Sequence, residues 1–358
     1  MNTYKEKIDA WRKELDKVIS GYDHVKDQVL VALLSRGHVL LRAVPGTAKT
    51  TLANTLKSTI EGGVAARFQM TPDMKPSDIL GVVVYNAKTA EFETKTGPMV
   101  GAHITLFDEI NRTTPKTLSA TLQAMQEGIV TIGDKTFTLE ELFFAIATMN
   151  PVEQEGTFPL PEATLDRFAM LLDMQYVSRK DEIAMAKNVA VHGRSAQKGV
   201  SKVVSVQDIL AMREEVDKIA GNASDTVVKY IVDLCRATRP TDESFDLVHA
   251  SKNLAAPKGK AVAADAKAQA LDAAMLKDII MLGASPRSII WTLHCSAAAA
   301  FIQGDSNITP DHVKKVFRDV LRHRIMLSQV AEHEGYTSDQ VIDAVLSRVP
   351  VIEPRESK

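Results

Sequence analysis

The stretch HVLLRAVPGTAKT, residues His38–Thr50, decides the fold of this chain. Its first half is short and apolar, and it predicts a strand over His38–Ala43 that is buried on both faces. Its second half is a loop that leads into a helix predicted over Thr50–Ile60. A strand, a loop ending in Lys-Thr and a helix form the setting of a phosphate-binding loop.

Such a loop binds phosphate through backbone N–H groups that point inward at the N-terminus of a helix. We expect Lys49 to reach the β and γ phosphates of a nucleotide and the Thr50 hydroxyl to ligate Mg²⁺. The residues predicted to hold the nucleotide are Val44, Pro45, Gly46, Thr47, Ala48, Lys49, Thr50 and Thr51.

Two alanines depart from the strict pattern G-x-x-x-x-G-K-[ST]. Ala43 stands in place of the first glycine, and Ala48 stands in place of the glycine before the lysine. Because alanine enters positive-φ conformations only at a cost, we expect both residues to have ordinary φ angles. The alternative is an ordinary turn that contains the residues of a phosphate loop.

Two acids end a second apolar strand, predicted over Ile104–Phe107. Asp108 at the tip of a strand beside the phosphate loop can hold Mg²⁺, directly or through water. Glu109 is then placed to act as the general base that polarises an attacking water. The alternative is a pair of acids stabilised by the dipole at a helix N-terminus.

Three further polar residues are candidates for the same chemistry. Asn150 follows the predicted strand Phe143–Met149 and can hydrogen-bond the γ phosphate or orient the water, although an Asn before Pro is also a common turn residue. Arg167 and Arg287 are each either a surface arginine or a residue that stabilises the charge of the transferring phosphoryl group.

Composition describes an ordinary globular protein. The chain has 358 residues, of which 45% are hydrophobic and 25% are charged, with a net charge of -2. Two domains are expected at this length, and the near-zero charge disfavours a general binder of nucleic acid. No apolar run approaches a membrane span, and the N-terminus lacks an apolar signal core. With only two cysteines, Cys235 and Cys295, a disulfide framework is excluded and a cytoplasmic location is expected.

The first half of the chain alternates apolar runs with helical patterns, which predicts a parallel sheet covered by helices. Further strands are predicted over Ala66–Met70 and Phe168–Met174. Further helices are predicted over Tyr4–Ser20, His24–Ser35, Pro115–Glu127 and Pro161–Leu165. Alternating runs around polar turns predict β-hairpins over Gly81–Thr96 and Gly128–Leu139, which serve either as surface decoration or as loops that touch a substrate or a pore.

The second half of the chain is predicted to be helical. We place a nucleotide-binding α/β domain over residues 1–176 and an all-α domain over residues 177–358. Its predicted helices are Ser178–Ile219, Ser224–Thr238, Met275–Gln303 and Thr309–Ala331. The segment Ser251–Ala270 is rich in Ala and Lys, and it is predicted to be a flexible insertion because it can bury little apolar surface.

Together these segments resemble the MoxR family of AAA+ ATPases. The resemblance covers about Val18 to Ile325, and its long strings are more specific than the phosphate-loop pattern. The segments that carry it are Val44–Thr50, Thr71–Ile79, Gly97-Pro98, Asp108–Arg112, Ala147–Gly156, Pro159–Ala163, Leu165–Phe168, Ser285–Arg287 and Val320–Ile325.

The resemblance implies an AAA+ αβα core with a five-stranded parallel sheet, two inserted β-hairpins and an all-α lid domain. It implies that ATP is held with Mg²⁺ in a ring, usually of six subunits. In the family's motifs, Lys49 and Thr50 are Walker A residues and Asp108 and Glu109 are Walker B residues. Asn150, Arg287 and Arg167 would then be sensor 1, sensor 2 and the arginine finger, which acts on ATP held by the next subunit.

The resemblance also implies a class of function and partner. Relatives pair with proteins that carry a von Willebrand factor A domain, and they assist metal-cofactor insertion or the maturation of complexes. For Arg112, which matches a family arginine, we expect an ion pair between subunits. The rival functions are a nucleic-acid-remodelling AAA+ motor and a nucleotide-gated scaffold with negligible hydrolysis, for which Ala43 is the one hint in the sequence.

Overall fold

A computed structural model describes residues 2–44, 46–151, 156–192, 199–240, 271 and 273–351 of the chain. The chain forms two compact units. The first consists of residues 1–168 and 172–214, and the second consists of residues 169–171 and 215–358. The predicted assignment of a nucleotide-binding domain and a lid, with a boundary at residue 176, stays a prediction.

The helices of the described chain are α1 (Asn2–Asp16), α2 (Asp23–Leu34), α3 (Lys49–Ser58), α4 (Pro76–Leu80), α5 (Pro115–Glu127), α6 (Glu162–Leu165), α7 (Arg179–His192), α8 (Val206–Gly221), α9 (Asp225–Arg236), α10 (Ala273–Ile279), α11 (Pro286–Gln303), α12 (Pro310–Leu321), α13 (Gln329–His333) and α14 (Ser338–Arg348). The strands are β1 (Val39–Ala43), β2 (Ile60–Glu61), β3 (Ala65–Gln69), β4 (Gly81–Asn86), β5 (Glu91–Thr96), β6 (Ile104–Asp108), β7 (Ile129–Ile132), β8 (Lys135–Thr138), β9 (Phe144–Met149), β10 (Met170–Met174), β11 (Val204–Ser205), β12 (Ile280–Leu282) and β13 (Met326–Leu327).

The five predicted core strands form one sheet in the order β10-β1-β9-β6-β3. Strands β1, β9, β6 and β3 pair in parallel, so their carboxyl ends lie at one edge of the sheet. The residues of β6 are all buried, as expected for a strand covered on both faces. The α/β prediction is therefore confirmed, with strand boundaries within two residues of those predicted.

Local sequence signals account for helix α5, which follows β6. Thr114 caps the helix by accepting from the Thr117 N–H, and Pro115 occupies the first helical position. Gly128 ends the helix in a left-handed conformation with φ of 68°. The predicted bounds Pro115–Glu127 are confirmed, because the residues that begin and end the helix are recognisable in the sequence.

Both predicted hairpins are present. Strands β4 and β5 pair antiparallel with Gly81 opposite Thr96, and strands β7 and β8 pair antiparallel with Ile129 opposite Thr138. Gly81 has φ of 123°, and a Cβ there would lie 2.4 Å from the Lys95 carbonyl oxygen. The first hairpin therefore requires glycine at its base.

Three predicted helices are wrong in extent. The segment Ser178–Ile219 contains two helices, α7 and α8, because Val204–Ser205 forms strand β11 and pairs with β2. The segment Met275–Gln303 is divided by strand β12 and by Pro286, which begins α11. The segment Thr309–Ala331 begins at its predicted cap but is divided by strand β13, which pairs with β12.

Among the described residues of the second unit, one helix was not predicted from the sequence. Helix α14 is capped by Thr337, whose side chain accepts from the Gln340 N–H, while the Gln340 side chain accepts from the Thr337 N–H. This capping box is a sequence signal that could have revealed the helix. Helix α9 was predicted and is confirmed. The predicted insertion over residues 251–270 lies outside the described residues.

Both cysteines are buried free thiols, and burial raises the pKa of Cys235 to about 12. Among the described helices, none has the combination of length and apolar character that would let it cross a bilayer.

A buried arginine fastens the start of α8 onto the first unit. Arg213 is 1% exposed, and its Nε and Nη1 donate to the carbonyl oxygens of Leu33 and Glu141, each at 3.0 Å. These carbonyls belong to the end of α2 and to the loop before β9. Residues 206–214 are thereby held on the α/β unit.

We predict that Arg213→Met lowers the thermal midpoint of the first unit by about 4–8 °C. The substitution removes the donor from the buried Leu33 carbonyl and from the partly buried Glu141 carbonyl, at a cost of about 2 kcal/mol. In a Trp291→Phe background the unfolding is followed by fluorescence of Trp11, which is fully buried in this unit. Gln207→Met, an exposed change on the same helix, is the control. Equal midpoints for the two variants would refute the anchoring role.

Candidate active site

The predicted phosphate loop lies at the carboxyl edge of the sheet, between the end of β1 at Ala43 and the start of α3 at Lys49. Ala43 lies within the strand, as the expectation of ordinary φ requires. For Ala48 that expectation is wrong, because this residue caps α3 in the left-handed region with φ of 61°. Alanine tolerates this conformation at a modest cost, and Gly46 carries the other positive φ in the loop, 85°. Pro45 lies outside the described residues.

The loop contains backbone N–H groups that donate no hydrogen bond to any acceptor in the described chain. Among the described residues, the backbone N–H groups of Gly46, Thr47 and Ala48 donate to no carbonyl or side chain. The Thr47 hydroxyl instead donates to the Val44 carbonyl at 2.8 Å, which closes the loop on itself. Together with the unpaired first turn of α3, these donors fit an anionic phosphate group.

Lys49 extends this donor set with a positive charge. Its ammonium lies 3.5 Å from the Ala43 carbonyl oxygen, and it forms no ion pair with a carboxylate in the described part of the chain. Its side chain is half-buried at the mouth of the loop. This lysine is therefore available to a phosphate group, as the sequence predicts.

Asp108 is the carboxylate around which the site is organised. It ends β6, is 7% exposed, and receives hydrogen bonds from three different elements. Oδ1 accepts from the Thr148 hydroxyl of β9 at 2.8 Å. Oδ2 accepts from the Thr50 hydroxyl of α3 at 3.3 Å and from Nη2 of Arg67 on β3 at 2.9 Å.

The pair of Thr50 and Asp108 fits a magnesium ion. Hydroxyl and carboxylate oxygens are its preferred protein ligands, and magnesium usually takes only one or two protein groups besides phosphate oxygens and water. The Thr50 Oγ1 and the Asp108 Oδ2 face each other at 3.3 Å beside the loop. When bound there, the ion would neutralise negative charge on the phosphates.

Glu109 is held in an unusual backbone conformation next to Asp108. Its φ is 57°, and its N–H donates to the Thr148 hydroxyl at 2.9 Å. Its Oε2 accepts from the Gln69 amide and from Nη1 of Arg112, each at 3.0 Å. Its Oε1 has no hydrogen-bond donor among the described residues, so only Oε2 anchors the side chain.

The sheet brings only part of the predicted set together. Asn150 follows β9, is 6% exposed, and lies at the carboxyl edge between the ends of β1 and β6. Arg167 lies in the turn after α6, is half-buried, and forms no side-chain hydrogen bond or ion pair with another described residue. Arg287 is the second residue of α11, in the second unit. The roles of these three residues stay predictions.

Four contacts were missed or differ from the sequence analysis. Thr148, Arg67 and Gln69 were not predicted to take part. Arg67 and Gln69 lie two residues apart on edge strand β3 and therefore share one face of the sheet. Gln69 stands opposite Asp108 in the register. The two-residue periodicity of the strand was the sequence signal that could have revealed them. The guanidinium of Arg112 pairs with Glu109 of its own chain, and the expected ion pair between subunits stays a prediction.

We predict that Thr148→Val lowers ATP turnover by about tenfold. The isosteric change removes the hydroxyl that donates to the Asp108 carboxylate and accepts from the Glu109 backbone N–H, so both residues lose their shared anchor, at roughly 1.4 kcal/mol of activation free energy. Phosphate release under saturating ATP measures the effect.

Thr105→Val is the matched control for this variant. Thr105 is a fully buried threonine on β6 whose hydroxyl has no hydrogen-bond partner in the described structure. Its replacement should leave turnover within about twofold of the parent, since no bond is lost. If both variants retained parental turnover, the bridging role of Thr148 would be wrong.

Comparisons with known proteins agree with this geometry. Residues 38–170 match the family model of the ATPases associated with various cellular activities (AAA), and residues 272–345 match the AAA lid domain. A solved structure described as an ATPase from Cytophaga hutchinsonii has a TM-score of 0.82 and 36% identity, covering 98% of this chain and 96% of that one.

Relatives of known sequence cover nearly the whole chain. The chaperone MoxR1 of Mycobacterium tuberculosis is 35% identical over 94% of this chain and 80% of its own length. YeaC, an uncharacterised protein of Bacillus subtilis, is 36% identical over 95% of this chain and 93% of its own. MoxR of Paracoccus denitrificans is 29% identical over 94% of both chains. On this similarity, and with a sheet, site and lid that fit it, the chain belongs to the MoxR family of AAA ATPases.

Proposed function

We propose that this chain is a Mg²⁺-dependent ATP hydrolase that assembles into a homo-oligomeric ring of six subunits and acts as a chaperone on a partner protein or metalloenzyme complex. The observation that carries the hydrolytic part is the Asp108 carboxylate, which is bonded to Thr50 at the phosphate loop and, through Thr148, to the backbone of Glu109. Metal ligand, phosphate loop and base thus share one rigid frame.

Each part of this frame has a distinct role in the proposed reaction. The loop N–H groups and Lys49 hold the phosphates, while Thr50 and Asp108 hold the magnesium ion. Glu109 orients a water molecule with Oε1, the oxygen that no described residue occupies. As the water oxygen bonds to the γ phosphorus, the bond from that phosphorus to the β–γ bridging oxygen breaks. The proton of the water passes to Glu109, and ADP leaves with the electron pair.

The charge that develops on the γ phosphoryl group needs more cations than Lys49 alone. Arg67 and Arg112 are each already paired with a carboxylate of the site. The side chain of Arg167 forms no hydrogen bond or ion pair with the described residues of its own chain, which supports its assignment as a finger offered to a neighbouring subunit. We assign Asn150 and Arg287 to the γ phosphate as sensors, as their motifs suggest.

The chaperone role rests on relatives and on one exposed surface. One relative, MoxR1 of Mycobacterium tuberculosis, is named a chaperone. The first hairpin exposes Tyr85 and Phe92, 58% and 74% accessible, with their rings 5.4 Å apart. A solvent-facing aromatic pair on a hairpin is suited to contact a client protein. We propose a protein with a von Willebrand factor A domain as partner and the cytoplasm as location.

Neither rival function gains support from a structural observation. Ala43 was the hint for a scaffold without hydrolysis, and it lies in β1 with ordinary backbone geometry. The net charge of -2 still disfavours a nucleic-acid motor. Turnover that rises on addition of DNA, with a steep dependence on salt, would favour the motor over the chaperone.

We predict that Glu109→Gln lowers ATP hydrolysis by about 10²–10⁴-fold, the usual contribution of a general base, while ATP binding is retained. Glutamine keeps the side-chain shape but cannot accept the proton. Phosphate release and binding of a fluorescent ATP analogue are measured on the same preparations. Glu127→Gln, which changes an exposed acid at the end of α5, is the control and should match the parent.

Two outcomes would contradict the proposal. If Glu109→Gln hydrolyses ATP as fast as the parent, Glu109 is not the base. If parent and variant are equally silent at concentrations where rings form, the scaffold function is supported instead.

A further inference from the structure

The residues that follow Arg167 belong to the second unit, although the rest of β10 belongs to the first. Residues 169–171 group with residues 215–358, whereas residues up to 168 and from 172 to 214 group with the α/β unit. Arg167 is therefore connected, through Phe168 alone, to a segment that the lid-bearing unit holds. Within the second unit, two buried arginines just after helix α12 contact this segment.

Arg322 and Arg324 both donate to backbone carbonyls of this segment. Nη1 of Arg322 lies 2.7 Å from the Leu171 carbonyl oxygen, and Nη1 of Arg324 lies 3.1 Å from the Ala169 carbonyl oxygen. Carbonyl groups two residues apart point to the same side of an extended chain. The two guanidinium groups thus grip one side of the strand that begins the sheet order.

Both arginines are themselves fixed. The Arg322 side chain is 9% exposed, and it also donates to Asp319 and to Asp339, each at 2.8 Å. Arg324 is 6% exposed and also donates to the Val320 carbonyl. Hydrogen bonds from a charged group are about twice as strong as neutral ones, so these contacts hold the carbonyls firmly.

We propose that Arg322 and Arg324 are positioning residues that set where Arg167 is presented, so that the lid of each subunit governs hydrolysis in the neighbouring subunit. This inference rests on the proposed function, in which Arg167 acts on ATP bound by the next subunit. Beyond that function, the hydrogen bonds from Arg322 and Arg324 to residues 169–171 couple the position of one subunit's lid to the position of Arg167 in the same subunit. Loss of these hydrogen bonds should then lower ATP turnover in the neighbouring subunit.

Mixed rings separate an effect on the neighbour from an effect within the altered subunit. A small fraction of reporter subunits with an intact site is combined with an excess of Lys49→Ala subunits, which hydrolyse nothing but retain Arg167. Particle mass is measured for each mixture to confirm equal incorporation. Reporter turnover then depends on the arginine supplied by the excess subunit.

With unaltered reporters, we expect Lys49→Ala/Arg322→Met subunits to support about 10–100-fold less turnover than Lys49→Ala subunits, since a small misplacement of a catalytic group has effects of this size. The converse mixture tests direction. Reporters that carry Arg322→Met should regain normal turnover and an unchanged KM among Lys49→Ala neighbours. A merely structural defect of the lid would stay with the altered subunit and would not be rescued.

Arg318→Met is the matched control for the lid. Arg318 lies one turn earlier on α12, pairs with Asp343 and makes no contact with residues 169–171 among the described hydrogen bonds. It should not lower the turnover of the reporters. If Arg322→Met fails to assemble, Arg322→Lys is used, which keeps the charge near Asp319 but lacks the planar fork that also reaches Leu171.

The outcomes of this experiment distinguish the two levels of the proposal. Full support by Lys49→Ala/Arg322→Met subunits, or failure to rescue Arg322→Met reporters, overturns the positioning role while leaving the finger intact. Lys49→Ala/Arg167→Ala subunits provide the second test. If these still support reporter turnover, the finger itself is refuted, and the positioning inference falls with it.

Discussion

The structure of the site depends on one buried carboxylate. Asp108 accepts hydrogen bonds from Thr50 on the helix after the phosphate loop, from Thr148 on β9 and from Arg67 on β3. Since a carboxyl group that is only 7% exposed is costly to bury without hydrogen-bond partners, these contacts favour the arrangement that brings the three elements together. The same Thr148 hydroxyl accepts from the Glu109 N–H, so the residue that we propose as the base is located by the group that also holds the proposed metal ligand.

A second constraint concerns the arginines of the chain, whose roles differ according to the groups that they contact. Arg67 and Arg112 neutralise Asp108 and Glu109 within the site. Arg322 and Arg324 donate to backbone carbonyls and fix the segment after Arg167. Arg167 has no side-chain partner in the described chain, and we propose that its partner is the phosphoryl group of a neighbouring subunit.

The sequence predicted the core strands and the main site residues because both carry strong local signals. A buried parallel strand is a short apolar run, and the residues that end such strands necessarily meet at one edge, which placed Lys49, Asp108 and Asn150 together. The prediction for Ala48 failed because its left-handed φ is set by the loop as a whole, which outweighs alanine's own preference. The contacts of Arg67 and Gln69 depend on strand pairing, which a single sequence does not encode locally.

The helical half was predicted less well, for a physical reason. The two-residue and three-residue strands β11, β12 and β13 have no periodicity to detect, and they form only because a partner strand lies beside them. They therefore divide segments that look like continuous helices. The grip of Arg322 and Arg324 on residues 169–171 is likewise a tertiary contact, across about 150 residues of chain, between groups that local pattern cannot connect.

The central claim is that one copy of the chain binds and positions ATP while a second copy supplies the arginine that completes the site. The most direct test is the turnover per subunit as a function of protein concentration, with particle mass measured on the same samples. The account predicts that turnover per subunit is near zero for the isolated chain and rises in step with assembly. Turnover per subunit that is constant from isolated chain to full assembly would contradict it.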